Sequence, residues 1–260
     1  MKKMIIGGLL AANALLLTSC LEGGQNSGSD WDYGVVEATT ATSFRRIVTG
    51  YKWGPLYSRS IESDYSINDG DCIFINFSYN MNSAENQNAA ANGYLTVDDN
   101  PVYGVIQQGL VNSYSLTDTT RLLANEITTY FDIENYNAYV KDRLFMTPLF
   151  KSSLTDQKNS YNISFNPSQP VEEIDGKRVY NLYFRVEKLE DGKAPALVDN
   201  GQTIALNLSA VMAQMRNVEK ALNNNLMYFK INYVAELNAD STAVKSWGTT
   251  KVQSIQIPAE

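Results

Sequence analysis

Segments rich in β-branched and aromatic residues recur along this 260-residue chain, with turn-forming residues between them. That recurrence is typical of an all-β fold. The clearest turn signals are Asn68-Asp69-Gly70-Asp71 and Asp175-Gly176, because Asn, Asp and Gly tolerate the backbone conformations of tight turns. We predict strands at residues 33–40, 44–52, 72–80, 93–98 and 102–108, and again at 127–133, 138–146, 160–166, 178–188, 226–238 and 249–257.

The strand pattern divides into two β units, because it is less regular between residues 110 and 135. Within that stretch, residues 116–123 are interpreted as either a short helical turn or a domain linker. The five strands before it suit a small barrel over residues 33–120. The strands after it suit a β-sandwich over residues 121–260.

One segment departs from the β pattern. Residues 208–222 place apolar side chains at a helical spacing, at Leu208, Val211, Met212, Met215, Val218 and Leu222. The spacing predicts an amphipathic helix, with Ser209 as its N-cap. Such a stripe usually covers a core, so we expect this short helix to close one end of the sandwich rather than to bind a partner.

The N-terminus has the features of an export signal. Met1-Lys2-Lys3 precedes an apolar run that Asn13 interrupts, so the run is too short for a helix that spans a bilayer. Leu17-Thr18-Ser19-Cys20 resembles the lipobox of bacterial lipoproteins, in which a peptidase cuts before the cysteine and its sulfur carries diacylglycerol. We therefore predict a signal peptide over residues 1–19 and lipidation of Cys20.

Residues 20–32 are rich in Gly, Ser and other polar residues, which predicts a flexible tether between the lipid and the folded part. Acyl chains such as palmitate on Cys20 would hold the protein on a membrane leaflet. The expected location is the cell envelope, with the anchor in the outer membrane. An acidic cluster after the lipidated cysteine marks surface export in related bacteria. Only Glu22 and Asp30 are acidic here, so the periplasmic and the surface face both stay open.

Charge and composition exclude several classes of function. Removal of residues 1–19 leaves 19 basic and 28 acidic side chains, a net charge of −9 that repels nucleic acid. With Cys20 lipidated, Cys72 is the remaining thiol, so no intramolecular disulfide can form. The chain contains no histidine, which removes the commonest general base, the usual partner of nucleophilic Ser or Cys, and the commonest zinc ligand.

Other groups that suggest chemistry have simpler interpretations. Cys72 leads an apolar strand, so a buried small hydrophobic residue is expected rather than a reactive thiol. Glu172-Glu173 and Asp98-Asp99 could act as paired carboxylates, but adjacent acids beside turns are usually solvated. The sequence shows no EF-hand loop, phosphate loop or cysteine cluster. We therefore expect no catalytic residues, no metal ligands and no cofactor.

Two further features are open to two interpretations each. The 16 tyrosines and three tryptophans (Trp31, Trp53 and Trp247) could stack on sugars if two or three of them lined one groove, although strands accumulate aromatic residues in any case. Asp118-Thr119-Thr120 and Asp240-Ser241-Thr242 resemble an O-glycosylation sequon of exported proteins in related bacteria. Thr119 and Ser241 are thus candidate modification sites, or ordinary loop residues.

The order of lipobox, tether, a first β module with the run 68–79, and a second module that contains Tyr228-Phe229-Lys230-Ile231-Asn232-Tyr233 resembles the NigD-like lipoproteins. The resemblance implies an N-terminal OB-type barrel and a C-terminal β-sandwich. It transfers no catalytic residues, and a bacteriocin-related role stays open.

The leading hypothesis is a lipid-anchored, non-enzymatic envelope protein that acts by binding a protein or glycan partner. A first alternative is a glycan-binding lipoprotein of a sugar-uptake system. A second alternative is a fimbrial or adhesin subunit, for which the alternating segment 249–257 could serve as a donor strand. The one partner that the sequence predicts is the membrane, through the lipid on Cys20. Nucleic acid is not expected as a partner.

Overall fold

A computed structural model describes residues 26–39, 45–98, 100–112, 116–131, 138–152, 156–193 and 198–257. The predicted signal peptide and Cys20 lie outside these ranges. The chain divides into two compact units, of which the first ends at Ile106 and also includes Ala138–Lys141, while the second takes in 107–137 and 142–260. No helix in the described ranges is long and apolar enough to cross a bilayer.

The first unit is a curled, half-barrel sheet. Its strands are β1 Ser27–Thr39, β2 Arg45–Gly50, β3 Gly54–Tyr57, β4 Cys72–Asn80, β5 Leu95–Thr96 and β6 Val102–Val105, and they lie in the order β5-β3-β2-β1-β4-β6. Three short helical turns join them: α1 Arg59–Ser63, a 3-10 turn at Asn86–Asn88, and α2 Ala89–Asn92. β1 begins six residues before the predicted start at 33, so the last part of the predicted tether is strand.

Strand alternation places the core of the first unit on one face of this sheet. Val36, Ile73 and Ile75 are almost fully buried there, together with Val48 of β2 and Leu56 of β3. Successive side chains of a strand point to opposite faces, so apolar residues at every second position are enough to form the core. The predicted turn before β4 is confirmed, since Gly70 has a φ of 90° and Asn68 N donates to Asp71 Oδ2 at 2.8 Å.

The remaining strands are β7 Gln108–Asn112, β8 Glu126–Ile127, β9 Ala138–Val140 (which belongs to the first unit), β10 Arg143–Met146, β11 Leu149–Ser152, β12 Lys158–Phe165, β13 Glu172–Ile174, β14 Lys177–Glu190, β15 Val198–Gly201, β16 Ile204–Asn207, β17 Leu226–Leu237, β18 Val244–Thr249 and β19 Gln253–Gln256. The main sheet of the second unit follows the order β18-β17-β14-β12-β7-β16-β10, and β11 pairs with β15 separately. β14 is its central strand and is buried from Val179 to Val186. The predicted fold class, an OB-like barrel followed by a β-sandwich with one short helix, is confirmed.

The predicted helix forms as α3, Ser209–Ala221, but its start and its buried face differ from the prediction. Ser209 is the first helical residue rather than the N-cap, and its backbone N–H donates to Asn207 Oδ1 at 3.2 Å. Val218 is 46% exposed, whereas Glu219 is buried. Glu219 can be buried because its carboxylate has hydrogen-bond partners on β14, so polar contacts as well as apolar ones attach this helix.

The segment 116–123 is neither a helix nor a linker between units. It is irregular backbone within the second unit, and the buried Arg185 of β14 donates hydrogen bonds to the carbonyl oxygens of Asp118 and Arg121. β7 is also in the second unit, where it pairs in parallel with β12 and β16. The first compact unit therefore ends well before the predicted boundary at residue 120.

Candidate functional site

The first unit contains a groove of about 540 Å³. This volume is within the range of small-ligand sites, roughly 300 to 1,000 Å³. Strands β2, β3 and β4 contribute to its walls, together with α1, α2 and the residues before and after β5. Most of the side chains that line it are polar or aromatic, among them Arg45, Tyr57, Arg59, Tyr79, Asn92 and Tyr94.

Three tyrosines line this groove, each from a different part of the sequence. The rings of Tyr57 and Tyr94 lie 5.2 Å apart between centroids and are tilted by 40°. Tyr79 packs against Trp53 at 4.6 Å, and Trp53 in turn contacts Phe77 of the core. Because each ring is supported from behind or from the side, its orientation is fixed before a ligand arrives.

A charged cluster at one end of the groove orients Tyr57. The Tyr57 hydroxyl donates to Glu62 Oε2 at 2.7 Å and accepts from Arg45 Nη1 at 3.3 Å. Arg45 also pairs with Glu62 directly, at 3.0 Å. Burial and the bond to Glu62 raise the pKa of Tyr57, while Tyr57 and Glu62 raise the pKa of Arg45. Tyr57 is therefore a neutral hydroxyl and Arg45 a cation at physiological pH.

The opposite wall is held in place by Asn86. Its Nδ2 donates to the carbonyl oxygens of Asn80 and Thr96 at 2.9 and 2.8 Å, and its Oδ1 accepts from Thr96 N at 2.7 Å. Asn86 is buried, and these three hydrogen bonds use most of its capacity. Its role is therefore to fix the segment between β4 and β5, rather than to contact a ligand.

Other polar groups in the groove remain available. Within the described part of the chain, the Asn92 side-chain amide and the Tyr94 hydroxyl make no hydrogen bond. The formal charge of the lining is balanced, with Arg45 and Arg59 against Glu85 and Asp98. Flat rings beside free amide and hydroxyl groups suit a ligand that has both an apolar face and many hydroxyls.

Two of the acidic side chains that the sequence singled out, Glu172 and Asp98, have hydrogen-bond partners in the described part of the chain. Glu172 Oε2 accepts from Lys230 Nζ and Oε1 accepts from Asn181 Nδ2, both at 2.7 Å, and these contacts lower the pKa of Glu172. Asp98 Oδ1 accepts from Ser78 N at 3.0 Å, whereas residue 99 lies outside the described residues. Among the residues that the structure describes, no group of three or more Cys, Asp or Glu is placed to hold a metal ion.

Thr119 and Ser241 occupy similar turns on the surface. In both Asp118-Thr119-Thr120 and Asp240-Ser241-Thr242, the Asp Oδ1 accepts from the backbone N–H and from the hydroxyl of the third residue, the latter at 2.6 Å. Both middle residues are exposed. Their modification stays a prediction, as does lipidation of Cys20, which lies outside the described residues. Cys72 is fully buried, as predicted.

The segment 249–257 is already paired within its own chain. β19 lies antiparallel to β17, with Leu226 opposite Gln256 and Phe229 opposite Gln253. β18 pairs with the later part of the same strand. A donor strand has to be free to complete another subunit, so this pairing argues against the fimbrial alternative.

Residues 24–100 match a family described as a lipoprotein OB domain. This match covers most of the predicted tether, strands β1 to β5 of the half-barrel, and the groove. It supports the lipoprotein and OB parts of the sequence-based prediction. A comparison with curated proteins finds no match.

Three solved structures have a similar fold. An uncharacterized protein from Parabacteroides merdae has 29% sequence identity and a TM-score of 0.78, over 88% of this chain and 100% of that one. A candidate toxin-related protein from Parabacteroides distasonis has 12% identity and a TM-score of 0.52, over 88% and 94%. A candidate lipoprotein from Bacteroides fragilis has 8% identity and a TM-score of 0.53, over 89% and 99%. The two lower identities bear on the fold alone.

Sequence reasoning counted the tyrosines of the groove without grouping them. Tyr57, Tyr79 and Tyr94 are far apart in the sequence, and β-sheet pairing brings them together. Alternation could have shown which face Tyr57 and Tyr79 occupy in their strands, but not which strands are neighbours, and Tyr94 lies just before β5.

Proposed function

We propose that this protein is a lipid-anchored, non-enzymatic binding protein of the cell envelope, and that its first unit binds an uncharged glycan in the groove. The observation that carries the proposal is the meeting of Tyr57, Tyr79 and Tyr94 in one groove. The sequence-based condition for a sugar site was that two or three aromatic side chains line a single groove.

The chemistry of the groove favours a sugar over other small ligands. A pyranose ring presents C–H groups on one face, which pack on tyrosine rings, and hydroxyls at its edge, which bond with amides and hydroxyls such as those of Asn92 and Tyr94. The lining carries two basic and two acidic side chains, so no net charge selects an ionic ligand. Asn86 and Glu62 fix the walls, which lowers the entropic cost of binding.

The sequence and its relatives support the proposed location and class. The lipobox before Cys20 and the lipoprotein OB match support anchorage in the cell envelope, and the outer membrane is the proposed membrane. The absence of histidine from the chain and the pairing of Glu172 with Lys230 support a role without turnover. A NigD-like assignment is kept as part of this proposal, because the order of the two β units agrees with it.

The first test is binding of neutral and acidic oligosaccharides to the detergent-solubilised full-length protein, by calorimetry. We expect a neutral oligosaccharide to bind, and Tyr94→Ala to weaken binding about fivefold, since one aromatic contact is worth about 1 kcal/mol. Asn92→Ala should also weaken it, because a sugar hydroxyl then loses its partner.

Tyr65→Ala is the matched control. Tyr65 is 97% exposed and does not line the groove, so its removal should leave binding unchanged. Equal affinities of the native protein and Tyr94→Ala would contradict the site. Selective binding of acidic sugars would contradict the balanced-charge argument.

A further inference from the structure

A second cluster of aromatic side chains lies on the face of the first unit's sheet opposite its core. Trp31, Tyr33 and Phe74 contact one another, with ring centroids 5.4 to 5.9 Å apart. Tyr33 and Phe74 lie directly opposite each other in the β1–β4 pair, so they share a face. Tyr51 N donates to Tyr33 O at 2.9 Å, which extends the row into the turn after β2. We call Trp31, Tyr33, Tyr51 and Phe74 the aromatic platform.

This platform is exposed although it lies on interior strands of the sheet. Trp31 is 42% exposed and Tyr51 is 52% exposed. The other face of the same strands contains Val36, Ile73 and Ile75 of the core, so the sheet is apolar on both sides. Clustered aromatic side chains in contact with water usually mark a surface that binds something.

A cation lies next to the platform. Lys52 Nζ lies 3.4 Å from the centroid of the Trp31 ring and donates to Trp31 O at 3.3 Å. Strand alternation places the side chains of Asp30 and Asp32 on the opposite face of the sheet. There Asp30 accepts a hydrogen bond from Trp53 Nε1, and Asp32 accepts hydrogen bonds from the backbone N–H groups of Lys52 and Trp53. Among the described residues, the platform therefore combines aromatic rings with the Lys52 cation.

The distance to the predicted lipid is short. β1 begins at Ser27, and residues 20–26 can span no more than about 25 Å even when fully extended. Trp31 lies four residues into that strand, about 13 Å further along. A surface attached this close to an anchor experiences the membrane at a high effective concentration, so weak contacts are sufficient for it to bind.

We propose that the aromatic platform rests on the lipid leaflet in which the Cys20 anchor is inserted. The inference rests on the lipid anchor of the proposed function and is independent of the glycan groove. Trp and Tyr rings have an apolar body and a polar edge, so they settle at the level of lipid headgroups. Lys52 lies beside them, where it attracts lipid phosphates.

The test uses the full-length lipidated protein in vesicles of phosphatidylethanolamine and phosphatidylglycerol with brominated acyl chains, which quench nearby tryptophans. We expect partial quenching of the native protein and loss of most of that quenching in Trp31→Phe. Trp53 packs against Phe77 on the core side, and Trp247 packs against Tyr183 in the second unit, so neither should be quenched to the same degree.

Tyr51→Ser should reduce the quenching of Trp31, because it removes an exposed aromatic ring from the platform. Tyr65→Ser is the control. The residue before it, Asp64, accepts a hydrogen bond from Tyr103 on the core side of the sheet, so Tyr65 lies away from the platform. Protein that floats with vesicles and shows equal quenching with and without Trp31 would overturn the platform proposal alone. Protein that does not float would overturn the anchor and the platform together. Protection of Trp31 by soluble oligosaccharide instead of lipid would replace the leaflet with a glycan surface.

Discussion

Arg185 is the residue that joins the irregular part of the second unit to its sheet. Its side chain and that of Glu126 are fully buried, and Arg185 Nε donates to Glu126 Oε1 at 2.6 Å. The other guanidinium nitrogens donate to backbone carbonyls, including that of Asp118 at 3.2 Å. A buried ion pair is tolerated only when its remaining groups have partners, as here, so each member depends on the other.

We predict that Arg185→Ala lowers the free energy of unfolding by about 3 to 5 kcal/mol, because Glu126 is left buried without its partner. Chemical denaturation followed by circular dichroism measures this loss. Lys158→Ala is the matched control, since Lys158 pairs with Glu190 on the surface, and it should have little effect. Equal losses in the two variants would contradict the role of burial.

Glu219 shows how a titratable residue can attach a helix. Its Oε1 accepts from the Tyr180 hydroxyl at 2.6 Å and from Arg178 Nε at 3.1 Å, while Oε2 accepts from Asn224 Nδ2. Burial alone would raise the pKa of Glu219, but these three hydrogen bonds outweigh it and lower that pKa. Burial and Glu219 raise the pKa of Tyr180 to about 12.

The raised pKa of Tyr180 makes stability depend on alkaline pH. The unfolded chain releases this proton near pH 10 and the folded protein near pH 12, so the folded state binds more protons between them. The free energy of unfolding should therefore fall as the pH rises from about 10 to about 12. We expect a smaller fall in Tyr180→Phe, measured by denaturation at a series of pH values. Identical pH profiles would contradict the assignment.

At the scale of elements, one buried acid organises the turn between β2 and β3. Asp32 Oδ2 accepts from the N–H groups of Lys52 and Trp53, at 2.9 and 3.0 Å. The carboxylate sits against Gly50, so closely that a β-carbon there would collide with Asp32 Oδ2. Burial raises the pKa of Asp32 despite these bonds. The turn depends on a glycine because the carboxylate occupies the space of a side chain.

Gly50→Ala should therefore destabilise the first unit by about 1 to 3 kcal/mol, the usual cost of overpacking. Gly104→Ala is a matched control in the same sheet, because nothing lies within 4 Å of a β-carbon there. Differential scanning calorimetry should show a lower melting temperature for the first variant only. A stable Gly50→Ala protein would mean that Asp32 can move away from the turn without loss.

The elements also show what could be predicted from sequence. β4, β17 and α3 lie within a few residues of their predicted bounds, because their periodicity is local. β7 and β16 are short strands with no distinctive pattern. They form where they pair with each other and with β12 and β10, which are distant in sequence from them. The candidate site depends on the same kind of information, since its three tyrosines are brought together by strand order. The composition indicated that aromatic residues could bind a ligand, but only the strand order shows which of them share a groove.

At the scale of the whole molecule, the predicted lipid on Cys20 would attach the two β units to a membrane. We predict that Cys20→Ala accumulates as an uncleaved, unlipidated precursor, which mass spectrometry of the membrane fraction would detect. Cys72→Ala is the control, because Cys72 is buried in the fold and its loss should leave cleavage and lipidation unchanged. A mature Cys20→Ala protein that still partitions into detergent would contradict the anchor.

Strand order also has a consequence for how the chain folds as it is synthesised, N-terminus first. The sheet of the first unit is built from strands that all precede Ile106. In the second unit, β7 needs β16 as a neighbour, and β17 needs β19 near the C-terminus. Its pairings are of high contact order and have to wait for almost the entire chain. The half-barrel and its groove can therefore form before the second unit is complete, which leaves the later unit exposed to chaperones and proteases for longer.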